Sequence, residues 1–173
     1  MTKKGFTLIE LLVVIGIMVI LMAAAIVAIN PFRQFAMANN AARWSGVTTI
    51  TNAISQRIVY NKGRYGVCPT GATVTDCPGT GDTLPTGTFV CMGTGTLATP
   101  VTGVCESYYN IDPCIVSGTP SYVGALPVDP QNGKYESSTN YNTYYQIRCD
   151  ATTGRITISA PGAQLGETIS IIR

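Results

Sequence analysis

Residues 6–29 form an apolar run in which Glu10 is the sole ionisable side chain, and residues 11–32 contain none. Wound as an α-helix at 1.5 Å per residue, this run would be roughly 36 Å long, enough to cross a hydrocarbon core of about 30 Å. Beyond Pro31 the pattern changes to an amphipathic one. Val47, Ile50, Ile54 and Ile58 recur at intervals of three or four, and Ala36, Asn40 and Arg43 extend the same row, which predicts a second helical stretch with one buried face. Gly63, after Tyr60, Asn61 and Lys62, marks its stop. The second half of this helix is expected to pack on a sheet while the first half protrudes. Pro31 lacks an amide donor and predicts a kink around residues 26–30; Gly16 is a weaker point in the first stretch.

Strand periodicity is clearest near the other end of the chain. Tyr145, Ile147 and Cys149 alternate with Tyr144, Gln146 and Arg148, residues 150–154 form a turn, and Ile156, Ile158 and Ala160 alternate with Arg155, Thr157 and Ser159. This predicts a hairpin, and residues 168–172 add a third strand, about the minimum for a sheet that packs stably against a helix. The expected class is α+β: a long N-terminal helix packed on a C-terminal antiparallel sheet, with a loop region between. The segments are 6–30 (spanning helix), 31–63 (amphipathic helix), 64–125 (Cys-rich loop region with short strands) and 126–173 (sheet).

Composition accounts for the loop region. Six cysteines and no histidine, with no C-x-x-C spacing, argue for disulfides over a zinc site. Disulfides persist outside the cytoplasm. The cysteines are Cys68, Cys77, Cys91, Cys105, Cys114 and Cys149; pairing sequence neighbours gives Cys68 with Cys77, Cys91 with Cys105, and Cys114 with Cys149, the last joining the loop region to the sheet. The formal net charge is +2, and without Lys3 and Lys4 the basic and acidic residues balance, so nothing points to nucleic acid or an anionic surface. The two lysines ahead of the apolar run favour a cytoplasmic N-terminus and an exported remainder, in agreement with the cysteines.

A cleaved secretory signal or a plain membrane anchor would explain the apolar run but not Glu10, because an acid at membrane depth costs on the order of 2 kcal/mol or more. The stretch Lys3-Lys4-Gly5-Phe6-Thr7-Leu8-Ile9-Glu10-Leu11-Leu12 resembles the class III signal of type IV prepilins and pseudopilins. Charge, a small residue, an aromatic, an acid and a long apolar run stand at that signal's positions. The resemblance implies that residues 1–5 are a leader, that a prepilin peptidase cuts between Gly5 and Phe6, and that the new Phe6 amine is methylated. It further implies that Glu10 pairs with the Phe6 amine of a neighbouring subunit, setting register in a helical homo-oligomeric filament built by a membrane assembly machinery. The precursor is then an inner-membrane protein and the product an extracellular pilus serving adhesion, motility or DNA uptake; a pseudopilin of a type II secretion or competence system is the alternative within the resemblance. The C-terminal sheet resembles a pilin head only in architecture.

Other chemistry is sparse. No histidine, zinc-ligand spacing, G-x-S-x-G or P-loop is present, so the usual catalytic constellations are missing, and a membrane-anchored hydrolase or binding domain is a remote alternative. Asp129, Asn132 and Asp150 supply oxygens for a calcium ion, but EF-hand spacing is missing, and the Asp-Pro and Asn-Gly pairs of residues 126–133 read first as a turn. No other cofactor is expected. Trp44, the only tryptophan, and Tyr135, Tyr141, Tyr144 and Tyr145 are read as packing residues ahead of a binding surface. No receptor is indicated.

Overall fold

The computed structural model describes residues 5–63, 65, 89–150 and 152–173. The chain divides into two compact units, Met1–Met37 and Ala38–Arg173. In the first, α1 (Leu8–Ile29) is a continuous helix without a buried residue, and Gly16 does not interrupt it. The helix breaks at Asn30, whose backbone is left-handed with φ 47°, and α2 (Pro31–Tyr60) follows at once. The break lies at the end of the window predicted for the kink. Asparagine tolerates the left-handed region, and proline at the first helical position has no amide to leave unsatisfied. Asn30 also serves as a cap, its carbonyl and its side-chain oxygen accepting from Arg33 N–H at 3.1 and 3.4 Å.

The second unit is an α+β head. α2 ends in a Schellman arrangement: Lys62 N–H donates to the Val59 carbonyl and Gly63 N–H to that of Ile58, at 3.1 and 2.8 Å. Lys62 and Gly63 both have positive φ, 58° and 93°, so the predicted stop is made with a lysine sharing the left-handed turn. The sheet comprises β1 (Val90–Thr94), β2 (Tyr108–Tyr109), β3 (Lys134–Ser137), β4 (Asn140–Cys149), β5 (Ile156–Ala160) and β6 (Ile169–Ile172). Its order is β2-β1-β4-β5-β6, with β3 also paired to β4. The expected hairpin is β4 with β5, in register Cys149 to Ile156 and Ile147 to Ile158, and the third strand is β6.

The sheet is larger than the sequence predicted and is mixed, because β1 pairs antiparallel to β4 while β2 runs parallel to β1. β1 sits inside the sheet although its residues belong to the stretch read as loop. Three consecutive positions, Cys91, Met92 and Gly93, are buried, so this strand lacks the alternation that marks a half-buried one. A short helix, α3 (Asp112–Ile115), follows β2. The core joins Val47, Ile50, Ala53 and Ile54 of α2 to Tyr145, Ile147, Ile158 and Ile169 of the sheet and to Ile111 and Ile115 around α3. The described part of the loop region therefore shares this core. α2 and β4 meet at Gly46, where a Cβ would lie 2.6 Å from the Tyr145 hydroxyl; only glycine admits that approach.

Cys91 and Cys105 are joined by a disulfide, as expected. Cys114 and Cys149 are each disulfide-bonded, but the expected bridge between them is not among the bonds of the described residues. Sequence proximity succeeds for Cys91 and Cys105 because Cys105 lies just ahead of β2, which runs beside β1. The expected Cys68–Cys77 pair lies outside the described residues.

Candidate functional site

The site suggested by the sequence is the N-terminal segment. Gly5 to Thr7 precede α1 without regular structure and are exposed, Phe6 at 85%. Thr7 caps the helix in extended conformation, and Glu10 completes a reciprocal capping box. Thr7 N–H and the Thr7 hydroxyl both donate to Glu10 Oε2, at 3.0 and 2.9 Å, and Glu10 N–H donates back to Thr7 Oγ1 at 3.3 Å. This satisfies backbone donors that a helix start otherwise leaves orphaned. The carboxylate thus stands at the positive end of the helix dipole, folded back toward the residue that follows Phe6. Thr7 was not among the expected site residues. Its signal was present as Thr-x-x-Glu directly before an apolar run.

Beyond that first turn, α1 presents apolar side chains on all sides. Its mean hydropathy is 3.2, and every large side chain from Leu11 to Leu21 is exposed. An all-round apolar surface on a helix of 22 residues must be covered by lipid or by other helices. Among the described residues of this unit nothing covers it.

Residues 1–26 match a family described as the prokaryotic N-terminal methylation motif. This N-terminus is a type IV pilin-like prepilin signal. Such a signal implies processing by a prepilin peptidase and assembly into pilus-like filaments, and with the apolar helix it fits a membrane-anchored precursor that is later extracellular. It points to a structural pilin-type protein. Comparison with curated proteins and with solved structures yields no match, so the likeness is carried by the prepilin signal, and the head is understood from its own geometry.

The other candidates are placed as follows. Asp129 is buried and engaged: Arg43 donates to it through Nε at 2.6 Å and Nη2 at 3.2 Å, and the N–H groups of Gln131 and Asn132 each donate to Oδ1 at 2.9 Å. Burial pushes this carboxyl up, but Arg43 and the two backbone donors outweigh it and hold it below the ordinary carboxylate value. A calcium ion at Asp129 would have to displace an arginine. Asp150 lies apart from it and accepts from Thr152 and Thr153 N–H, both at 2.8 Å, in the β4–β5 turn. Among the described residues no three acidic, cysteine or histidine side chains form a metal-binding group.

Arg43 belongs to the predicted stripe but does more than line it. Fully buried, it also donates to Asn40 Oδ1 and Gln131 Oε1 at 3.1 and 2.9 Å, while Asn40 Nδ2 donates to the Gln164 carbonyl and to Glu167 Oε2 at 2.8 and 3.0 Å. The network fixes α2 to the turn of residues 126–133 and to the β5–β6 connection. Tyr141 and Tyr145 are buried and serve packing, and Tyr141 accepts from Ile111 and Asp112 N–H at the start of α3; Tyr144 is half-buried and Tyr135 exposed. Trp44 does not serve packing, being 41% exposed, because it lies off the buried stripe of α2.

Proposed function

We propose that the chain is the major structural subunit of a type IV pilus, processed between Gly5 and Phe6, N-methylated at Phe6, and polymerised outside the cell for adhesion, motility or DNA uptake. One observation carries this reading: the prepilin signal runs directly into a helix that is apolar on every side and has Glu10 as its only ionisable group. A helix of that kind, extracted from lipid, is stable only when bundled with others. In such a bundle an unpaired carboxylate is strongly unfavourable, whereas one next to a terminal amine is neutralised. Glu10 and the Phe6 amine of a neighbour supply that pair.

The orientation follows the charges: Lys3 and Lys4 stay in the cytoplasm, and the disulfide-containing head is exported. The pseudopilin alternative shares the signal and differs in the product. Electron microscopy of sheared surface filaments, with intact-mass measurement of their subunit, tests the proposal. Abundant long filaments whose subunit starts at methylated Phe6 are expected. A subunit retaining Met1, or one correctly processed but never found in surface filaments, overturns the major-pilin reading.

A further inference from the structure

Arg43, Arg57 and Arg148 of the head differ in what their donors meet. Arg43 bonds through Nε, Nη1 and Nη2. Arg57 donates from Nε to the Tyr65 carbonyl at 2.9 Å and from Nη1 to the Cys114 carbonyl at 2.7 Å. Arg148 has no hydrogen bond or ion pair to any described residue, although its Nε is buried. Its guanidinium lies 4.6 Å from the ring centroid of Phe89. Burying a polar donor without a partner is unfavourable, and such a group calls for an explanation. Stacking accounts for where the guanidinium is held; it leaves the in-plane donors unused.

Register places Arg148 on the sheet face opposite the core. It stands across from Thr157 of β5, which stands across from Ile172 of β6; the next row is Gln146, Ser159 and Ser170. Of these, Arg148, Thr157, Ser159, Ser170 and Ile172, with Phe89 and Glu167, line a groove of about 480 Å³. Ser159 donates to Gln146 Oε1 at 3.2 Å, whereas the hydroxyls of Thr157 and Ser170 have no bond to a described residue. The groove combines one preoriented cation, free hydroxyls and the exposed edge of Ile172.

We propose that this groove is a binding site for a carboxylated sugar, with the carboxylate taken by the two terminal Nη groups of Arg148 and the ring hydroxyls by Thr157 and Ser170. A planar guanidinium suits a carboxylate through paired N–H donors. The aliphatic side of Ile172 suits the C–H face of a pyranose. Glu167 at the groove limits the field to a single negative charge, which disfavours a polyanion such as nucleic acid. The site is independent of whether the chain forms pili.

The test is calorimetric titration of the full chain in detergent with a glucuronate-terminated disaccharide, its neutral glucose-terminated counterpart, and a single-stranded oligonucleotide. Saturable binding of the acidic disaccharide is expected, with the neutral one at least about tenfold weaker, since a charged hydrogen-bond pair is lost. Arg148→Gln should weaken the acidic disaccharide by a similar factor. Arg148→Lys should recover only part of it, because the ammonium lacks the fork. Circular dichroism and an unchanged thiol count show that the variants are folded. No saturable binding at about 10 mM sugar, equal affinity in Arg148→Gln, or tighter binding of the oligonucleotide would each overturn the proposal.

Discussion

Asp129→Asn removes the charge opposite Arg43 and leaves the guanidinium fully buried with neutral partners only. The side chains of the pair are 0% exposed, so solvent cannot replace the lost carboxylate, and breaking such a pair from one side costs about 3–5 kcal/mol. For a unit of this size that is a fall in Tm of about 10 °C or more. Arg43→Met, which removes the cation and keeps an apolar side chain, should cost less, because Asp129 keeps the N–H groups of Gln131 and Asn132. The double variant should be milder than the sum of the two singles, as expected for residues sharing one interaction. The pH dependence gives an independent check. Asp129 is held below its ordinary value of about 3.9, so its stabilisation is present above that value and is lost as pH falls through the lower folded value. With Arg43 gone, burial, which favours the protonated acid, is no longer outweighed by the guanidinium. Arg43→Met should therefore lose less stability than wild type between about pH 5 and pH 3. Thermal unfolding of the full chain in detergent, followed by near-UV circular dichroism at several pH values, reads both effects. Asp129→Asn melting within about 2 °C of wild type, or fully additive single variants, would refute the reasoning.

Glu10→Gln and Glu10→Ala should insert in the membrane at normal levels and keep their disulfides, yet give few or no surface filaments; immunoblots of membranes against filament counts check this, and normal filament yields would remove the pairing role. Gly46→Ala places a methyl 2.6 Å from the Tyr145 hydroxyl, so Tyr145 must move from its 3.3 Å bond to the Val128 carbonyl. A loss of about 1–3 kcal/mol is expected in the same melting assay, whereas Gly16→Ala, with open space around its Cβ, should leave the head's melting temperature unchanged.

The contributions of sequence and tertiary structure divide along the distance over which each signal acts. The apolar run, the prepilin signal, the break beside Pro31 and the Gly63 stop are local, so residues a few positions apart determine them, and they were legible without a structure. The β4–β5 hairpin and β6 were legible for the same reason: half-buried strands joined in sequence leave an alternating record. β1 left none, since it is buried at consecutive positions and its partner β4 lies some fifty residues further along the chain. β2 is too short for any periodicity to register. The stripe of α2 named Arg43 as inward-facing, but only the fold brings Asp129 to it, which turns a candidate metal ligand into half of an ion pair. Cysteine proximity works for Cys91 and Cys105, because β1 carries the first and the segment leading into β2 carries the second. The chain alone thus determined that this protein has a prepilin N-terminus and an α+β head. Which polar groups are buried against each other, and which, like Arg148 Nε, have no hydrogen bond among the described residues, was decided by tertiary packing, because desolvation and pairing depend on what arrives from elsewhere in the chain.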